Sequence, residues 1–564
     1  MKSAIGRRGF TIGLAAILLW LPPLAFYAVF FLNPLSATFI LAFQSFTEAA
    51  IWREMLLRAW PPFLFTAWQA VLSTAITMAV GLPAAYLFAR YRFPGKRLLR
   101  VVTTLPFILP TVVVAASFNA LLGPNGWLNS FLMQAFDLDN PPIQLMNTLA
   151  MILIAHVFYN TTIVIRVVGS AWAQMDDRIE QAARTLGANP FRAFTEVTFP
   201  LLRPSILSAM LLVFLFDFTS FGVILLLGGP AYATLEVEIY IQTLQYLNLK
   251  LAGVLSVIQM IVTLLVMWLS LKIGGRQTSF LPRLKGETQR QPRTWFERAT
   301  IAFIIFNLVV LLLSPLVALI ARAFFRFDTS SGNWIFTLQY FSELFVNRRG
   351  SIFYVPPIDS AINSLKYALI TVALSLGFGI PAAYGLSKRK WYTRFIDPLI
   401  MLPMGTSAVT LGLGFILVFN KPPLDVRTFP LLVPIAHSLV ALPFVIRTLQ
   451  PAIDAIPESL HQAARVLGAR SWQVWTEIDL PILLRAVVVA SVFAFTISLG
   501  EFGATSFISR PEFPTLPVAI YRFLSRPGAM NYGQAMAIAT ILMVLCALAI
   551  LVLERFSEQG EEAE

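Results

Sequence analysis

This sequence of 564 residues has little charge and almost no cysteine or histidine. Only 13% of its residues are charged, against about 25% in a typical soluble protein, whereas 57% are hydrophobic and the mean hydropathy is +0.73. Charge this sparse cannot cover the surface of a soluble chain of this length. The single cysteine, Cys546, excludes a disulfide framework and a cysteine metal cluster, and three histidines leave little for a histidine metal site. The composition therefore predicts an integral membrane protein without a metal centre.

The sequence motifs of common enzymes are also missing. No GxxxxGK[ST] segment is present to hold nucleotide phosphates, and HExxH, CxxC and GxSxG do not occur. We therefore predict that this chain is not an enzyme, has no catalytic residues and binds no cofactor. Any process that it drives with ATP requires a separate ATPase chain.

Apolar runs of about 20 residues, long enough to cross a bilayer, recur along the chain. The first follows Lys2, Arg7 and Arg8, but its apolar run is too long for a signal peptide and no small-residue cleavage site follows it. We expect an all-α integral membrane fold. Its twelve predicted transmembrane helices, with ends defined to within several residues, are 11–32, 63–89, 101–122, 147–168, 204–227, 251–271, 299–321, 361–387, 396–419, 429–449, 486–508 and 535–553.

The net charge of +13 is concentrated on one predicted face of the membrane. If both termini are cytoplasmic, 29 of the 42 Lys and Arg residues lie in cytoplasmic segments, as the positive-inside rule expects. The basic charge therefore reflects membrane topology, so we expect contact with a lipid bilayer and none with nucleic acid.

The chain contains an internal repeat. Residues 180–200 (EQAARTLGANPFRAFTEVTFP) resemble residues 461–481 (HQAARVLGARSWQVWTEIDLP) at an offset of 281, and an upstream Gly-x-Pro-Ala-Ala-Tyr segment repeats at an offset of 298. Two six-span halves in the same order are parallel repeats. The predicted domains are a first repeat at 1–272 (core about 63–272), a cytoplasmic linker at 273–298, a second repeat at 299–554 (core about 361–553) and an acidic tail at 555–564.

The repeated segment predicts a short pair of helices between the fourth and fifth spans of each half. Gly187 and Gly468 stand where a left-handed residue ends a helix, and Asn189-Pro190 starts a new one. Small side chains on the exposed face favour a docking surface. The alternative is an amphipathic pair that lies on the membrane surface. The residues at the spacing of one helical face are Ile179, Ala182, Ala183 and Leu186, then Leu460, Ala463, Ala464 and Leu467.

The repeated segment resembles the EAA signature of binding-protein-dependent ABC importer permeases, and each half carries one copy. The similarity covers nearly the whole chain, in the manner of the fused, two-repeat (MetI-like, type I) ferric iron and thiamine permeases. The leading Glu of the signature is replaced here by Gln in both copies. The resemblance assigns ATPase coupling to Gln181, Ala182, Ala183, Gly187, Glu196, Pro200, Gln462, Ala463, Ala464, Gly468, Glu477 and Pro481.

The resemblance also implies the partners and the location of the chain. Two copies of an ABC ATPase subunit would bind at the cytoplasmic loops and use the ATP. A periplasmic or lipid-anchored binding protein would deliver the substrate. The chain would be a multi-pass protein of a bacterial inner membrane, with both termini in the cytoplasm.

Two acidic residues fall within predicted spans, where a charge is costly and indicates function. The offset of 281 pairs Asp217 with Ser498, and Ser220 with Glu501. These four are our candidates for the translocation pathway, where carboxylates would attract a cationic substrate. The alternative is that the carboxylates cap broken helices or pair with Arg. The intramembrane residues His156 and His437 are expected to be polar packing groups and not metal ligands.

The sequence leaves the substrate and one other class of transporter open. The outer segments 225–251 and 509–531 are similar to those of both ferric iron and thiamine permeases. Ferric iron is preferred, with thiamine or another small solute as the alternative. A different hypothesis is a secondary transporter that uses Asp217 and Glu501 for proton coupling.

Overall fold

The fold is described from a computed structural model for residues 20–44, 49–274, 289–328, 333–347, 355–387, 393–426 and 428–561. Within these ranges, ten helices are long and apolar enough to cross a membrane, or up to twelve if each of two bent pairs forms one span. This confirms the predicted all-α membrane fold. The beginning of the first predicted span, linker residues 275–288 and the last three residues of the tail lie outside the described ranges.

Eleven α-helices precede the linker and eleven follow it in the described residues, together with two 3₁₀ helices (Pro230–Tyr232 and Glu343–Phe345) and one antiparallel hairpin. Before the linker they are α1 (Trp20–Gln44), α2 (Ala49–Arg90), α3 (Lys96–Ile108), α4 (Thr111–Leu122), α5 (Trp127–Phe136), α6 (Leu149–Gln174), α7 (Asp177–Thr185), α8 (Pro190–Phe218), α9 (Gly222–Leu227), α10 (Leu235–Leu244) and α11 (Leu249–Gly274). After it come α12 (Trp295–Phe324), β1 (Phe325–Asp328), β2 (Asn333–Phe336), α13 (Gln339–Ser342), α14 (Pro357–Ser387), α15 (Thr393–Gly405), α16 (Ala408–Val418), α17 (Leu432–Asp454), α18 (Glu458–Val466), α19 (Ser471–Gly500), α20 (Thr505–Ile508), α21 (Leu516–Leu524) and α22 (Ala529–Glu561).

Two predicted spans are broken into bent helix pairs. At the predicted span 101–122 the chain bends by 111° between α3 and the segment Thr111–Phe136, which includes α4, and at the predicted span 396–419 it bends by 98° between α15 and α16. The first break follows from Pro110: Leu109 before it is extended (ψ 135°), and proline has no N–H to continue a helix. At the second break the Ser407 hydroxyl accepts a hydrogen bond from the Val409 N–H (3.1 Å) and so starts a new helix.

The fifth span of each repeat ends earlier than predicted. Helix α8 ends at Phe218 and the chain resumes as α9 at Gly222, within the predicted span 204–227. In the second repeat α19 ends at Gly500 and α20 starts at Thr505, within the predicted span 486–508. The breaks themselves contain polar residues such as Ser220 and Glu501, but a window of about 20 residues averages them with apolar neighbours and does not detect the breaks. At the end of the chain, α22 continues to Glu561, so most of the predicted tail is helical.

The described residues group into two compact units. The first-repeat unit comprises the described residues within 49–241 and 255–338, and the second-repeat unit comprises those within 20–44, 242–254 and 339–561. Helix α12, which precedes the second repeat, packs on α4 within the first-repeat unit; α1, which precedes the first repeat, packs on α16 within the second-repeat unit. The first helix of each sequence repeat therefore belongs to the compact unit that contains most of the other repeat. The repeat boundaries drawn from the sequence stay a prediction.

A glycine allows close approach of the same two spans in each unit. A Cβ on Gly81 of α2 would lie 2.7 Å from Val164 Cβ of α6, and one on Gly379 of α14 would lie 2.7 Å from Val445 Cγ1 of α17. Both valines are fully buried in apolar clusters. The repeated Gly-x-Pro-Ala-Ala-Tyr segment therefore places the second and fourth spans of each repeat in direct contact.

Candidate functional site

The first helix pair (α7 and the start of α8) has the predicted helix–turn–helix geometry. Asp176 caps α7 by accepting a hydrogen bond from the Arg178 N–H at 2.9 Å. Gly187 is left-handed (φ +92°) and ends the helix. Asn189 then accepts a hydrogen bond from the Arg192 N–H at 2.8 Å, with Pro190 as the first residue of α8.

The second helix pair (α18 and the start of α19) repeats this geometry with different residues. Gly468 has φ +83° and its N–H bonds to the Arg465 carbonyl at 3.1 Å. The new helix begins at Ser471, and the Gln473 side chain accepts a hydrogen bond from the Arg470 N–H at 2.8 Å. The two copies therefore share the conformation of the turn, although the residues that follow the glycine differ between them.

Both turns present apolar side chains to solvent. Leu186 is 90% exposed and Leu467 is 87% exposed, although they lie beside polar helices. Exposed apolar side chains grouped in this way mark an interaction site. Among the predicted coupling residues, Ala183 and Ala464 are half-buried, and the others are exposed: Gln181, Ala182, Gly187, Glu196, Pro200, Gln462, Ala463, Gly468, Glu477 and Pro481.

Each helix pair is fastened to the base of the following span by the residue beside the signature glutamine. In the first pair, the Thr198 hydroxyl donates to Glu180 Oε2 at 3.4 Å. In the second pair, His461 Nε2 lies 2.6 Å from Asp479 Oδ1. The Tyr384 hydroxyl donates to Asp479 Oδ2 at 3.0 Å, which adds a third helix to the second contact. The second helix pair is therefore held by a shorter and more highly connected contact.

Each helix pair continues into one long helix that ends at the break in the fifth span. Helices α8 (29 residues) and α19 (30 residues) each include a π-helical turn, Phe194–Thr198 and Trp475–Asp479. At 1.5 Å per residue, each helix is about 45 Å long. One continuous helix thus connects each helix pair to the break.

His156 lies at the break in the fifth span of the first-repeat unit. Its Nδ1 is 2.9 Å from Ser73 Oγ and 3.3 Å from Asp217 Oδ1, and its Nε2 is 2.9 Å from Ser220 Oγ. The Asn160 amide donates to Asp217 Oδ1 at 2.6 Å, and the Gln69 amide donates to the Asp217 carbonyl at 2.9 Å. Asp217 is fully buried. This histidine cluster thus ties α2 and α6 to the end of α8.

His437 occupies the corresponding place in the second-repeat unit. Its Nδ1 is 2.8 Å from Ser498 Oγ, whereas its Nε2 is 2.7 Å from Thr505 Oγ1 and 3.3 Å from Glu501 Oε2. Ser498 also donates to Thr371 Oγ1 at 3.2 Å. Glu501 accepts the Ala504 and Thr505 N–H groups and so caps the start of α20.

The structure therefore brings the two predicted pathway residues of each repeat onto one histidine, within one unit. Asp217 and Ser220 contact His156, and Ser498 and Glu501 contact His437. Glu501 caps a helix, which is the alternative that the sequence left open for both carboxylates. Asp217 instead contacts the amide of Asn160 and the imidazole of His156. Among the described residues no group of three or more His, Cys, Asp or Glu side chains could hold a metal ion. The role of these four residues in a pathway stays a prediction.

The sequence did not reveal that the end of the linker binds the first repeat. Arg290 forms two backbone hydrogen bonds around Tyr91, to the Arg90 carbonyl (2.9 Å) and from the Arg92 N–H (3.0 Å). Its guanidinium donates to the Tyr91 hydroxyl at 2.7 Å and lies 3.0 Å from Glu297. Burial raises the pKa of Tyr91, which keeps the hydroxyl protonated at neutral pH. We call this contact the linker clamp.

An aromatic contact after α12 was also missed. Trp334 of the hairpin stacks on Trp127 of α5 with ring centroids 4.2 Å apart, and the Arg322 guanidinium lies 4.8 Å from the Trp334 ring centroid. The short alternating strands, Phe325–Asp328 and Asn333–Phe336, were a sequence signal that the span analysis did not use.

Comparison with known proteins agrees with the two-repeat architecture. The family described as "Binding-protein-dependent transport system inner membrane component" matches residues 80–278 and 375–560, which together are more than half of the chain. One match lies in each half of the chain and includes the helix pair of that half. The predicted resemblance is therefore confirmed.

Relatives resemble the chain along nearly its whole length. The thiamine transport system permease protein ThiP of Brucella abortus is 28% identical over 508 residues, 89% of each chain. The protein of the same name from Escherichia coli is 26% identical over 517 residues, 90% of each chain. A probable ABC transporter permease of Sinorhizobium fredii is 24% identical over 530 residues, 91% of this chain and 90% of its own. These relatives do not support the preference for ferric iron and favour the thiamine alternative.

Proposed function

We propose that this chain, which belongs to the family of binding-protein-dependent transport system inner membrane components, imports thiamine. Members of this family are permease subunits of ABC transporters in the inner membrane and are not enzymes. Beyond this family membership, we propose the substrate, the partners and the orientation of this particular chain.

The observation that carries the proposed mechanism is the duplicated helix pair. Two turns with positive φ at Gly187 and Gly468 present exposed leucines in the same geometry, one from each repeat. Such a pair suits two copies of one partner, and an ABC ATPase subunit is the partner that could supply the missing nucleotide site. ATP would be bound and hydrolysed there, and this chain would bind no cofactor. Both termini would lie in the cytoplasm with the helix pairs.

The similarity to two proteins described as thiamine permeases supports thiamine as the substrate. It extends through both repeats and not only through the short signature. A periplasmic or lipid-anchored binding protein would capture thiamine and deliver it to the opposite face from the ATPases.

Uptake in cells tests the substrate. The chain is expressed with an ABC ATPase and a binding protein from its own organism, in a strain that lacks its own thiamine permease and cannot synthesise thiamine. We expect uptake of labelled thiamine that unlabelled thiamine abolishes and a ferric chelate does not affect. Uptake of labelled ferric iron in the same cells, without uptake of thiamine, would overturn the assignment.

A further inference from the structure

The carboxylate of Glu501 has the hydrogen-bond environment of an ionised group. Its Oε1 accepts the Ala504 N–H at 2.7 Å, and its Oε2 accepts the Thr505 N–H at 3.0 Å and the Thr505 hydroxyl. A carboxylate that accepts several such donors is stabilised in its charged form, even though this side chain is only 8% exposed. Three donors directed at one carboxyl group therefore favour a negative charge at Glu501.

The carboxyl group of Asp217 has the opposite environment. It is fully buried, and Oδ1 accepts one amide hydrogen bond, from Asn160 at 2.6 Å. Its Oδ2 is buried without a hydrogen-bond partner among the described residues. The burial of an ionised carboxylate that has a single hydrogen-bond donor costs far more than the burial of the uncharged acid. The surroundings of Asp217 therefore favour the neutral acid.

The two histidines differ in the same way. The Thr505 hydroxyl gives its hydrogen to Glu501, and the Ser498 hydroxyl gives its hydrogen to Thr371. Hydroxyl oxygens whose hydrogens are used in this way accept from the ring of His437, at 2.7 and 2.8 Å, an arrangement that favours a ring with both nitrogens protonated. Around His156, one of the two serine hydroxyls can donate while the other accepts, which a neutral ring satisfies.

We propose that the two breaks in the fifth spans are held by clusters of unequal charge: an imidazolium–carboxylate pair of His437 and Glu501, and a neutral pair of His156 and Asp217. Both histidines are positioning residues that fix the end of a long helix, α19 or α8. The pair in the second-repeat unit does so through opposite charges. The predicted effects on transport rest on the proposed function, whereas the predicted charge states of the four residues do not depend on the substrate.

The difference has a mechanical consequence. The removal of one partner from a buried ion pair leaves an uncompensated charge, which is strongly destabilising, whereas the removal of one neutral hydrogen bond costs much less. Replacement of Glu501 at the break that follows α19 should therefore reduce function more than replacement of Asp217 at the break that follows α8. A substrate-binding or proton-coupling role for the two acids would instead make them comparably sensitive.

Spectroscopy of the full chain in lipid bilayers tests the charge states. With only three histidines, ¹⁵N-histidine labelling gives three imidazoles, which H156N, H437Q and H461N assign. We expect two protonated nitrogens in the ring of His437 and one in the ring of His156. Infrared difference spectra should contain a carboxylic acid C=O band that D217N removes and E501Q retains. Rings of equal charge, or a band that is lost in E501Q and retained in D217N, would overturn the proposal.

Transport tests the positioning role. In the complete transporter, E501Q should reduce uptake at least about tenfold more than D217N does, because it leaves the His437 charge unpaired. In an H437Q background, the additional change E501Q should cost much less than it does alone, as expected for coupled residues. Equal losses in D217N and E501Q, or additive losses in the double variant, would contradict it. If thiamine is not the substrate, the wild type fails to take it up while the spectra remain informative.

Discussion

His461 Nε2 lies 2.6 Å from Asp479 Oδ1 in the second helix pair, whereas the corresponding residues of the first pair, Glu180 and Thr198, are joined at 3.4 Å. The acidic residue of this contact lies on a different helix in each copy. In the first pair it is Glu180, on the short first helix, and in the second pair it is Asp479, at the start of the fifth span. The offset of 281 makes these positions equivalent. The two helix pairs thus share their turn but not the way in which they are fastened.

The second helix pair should be the more sensitive to loss of this contact. Asp479→Ala removes the acceptor for both His461 and Tyr384, and we expect it to reduce stimulation of ATPase activity by the loaded binding protein about tenfold. Thr198→Val removes only the 3.4 Å contact of the first pair and should change stimulation less than about twofold. ATPase assays of the purified complex measure both, and equal effects would show that the contacts are not what fastens the pairs.

The left-handed turns should be required for coupling but not for membrane insertion. No atom lies within 4 Å of a Cβ placed on Gly187 or Gly468, so valine at either position strains the backbone without a clash inside the chain. The strain is about 1–2 kcal/mol or somewhat more for a β-branched residue. We expect normal amounts of protein in the membrane and loss of ATPase stimulation.

Gly95 provides the matched control for these variants. It has φ +79° and no atom within 4 Å of its Cβ position, but it precedes α3 and lies outside the helix pairs. Gly95→Val should therefore impose similar strain and leave ATPase stimulation intact. Loss of stimulation in all three variants would indicate general destabilisation in place of a role for the turns.

The close contacts between the second and fourth spans should limit stability. Gly81→Ala places a Cβ 2.7 Å from Val164, and we expect it to lower the free energy of unfolding by about 1–3 kcal/mol. The same change at Gly169, whose nearest contact would be 3.5 Å away, should be tolerated. Thermal unfolding in detergent measures the difference. In the second repeat, Val445→Ala should partly rescue Gly379→Ala, because alanine lacks the Cγ1 atom that would lie 2.7 Å from the new Cβ; failure to do so would contradict the steric explanation.

The linker clamp should stabilise the first-repeat unit by a modest amount. Tyr91→Phe removes the hydroxyl that accepts from Arg290 and donates to Glu297, but it retains the ring beneath the guanidinium. Because Arg290 is about half exposed, we expect a loss of about 0.5–1 kcal/mol, and a larger loss for Arg290→Ala. Arg293→Ala is the control, since Arg293 contacts Glu297 through its backbone N–H, and it should leave the unfolding midpoint unchanged.

Local sequence rules were sufficient for the helix pairs. A glycine after the last apolar residue of a helix, followed by Asn189-Pro190, specifies a turn within a few residues, so no knowledge of distant contacts was needed. The apolar runs likewise identified the membrane helices. They could not reveal the bends at Leu109-Pro110 and at Ser407, because hydropathy does not record backbone direction, although Pro110 is a signal that a helix ends.

The histidine clusters show what the sequence could not provide. His156 contacts Ser73 and Asp217, which are 83 and 61 positions away, so their meeting depends on how three helices pack. The repeat did indicate that His156 and His437 are equivalent, and both proved to be packed polar groups, as expected. Which carboxylate faces which ring nitrogen depends on the break in the fifth span, and that break was hidden within an apolar run.

The central claim is that this chain moves its substrate only through ATP hydrolysis on partner subunits. It is tested most directly by uptake of labelled thiamine into proteoliposomes that contain the purified chain, with or without the ATPase, in the presence of the binding protein. We predict uptake that requires the ATPase and internal ATP and that a proton gradient cannot replace. Gradient-driven uptake by the chain without any ATPase would contradict this and identify a secondary transporter.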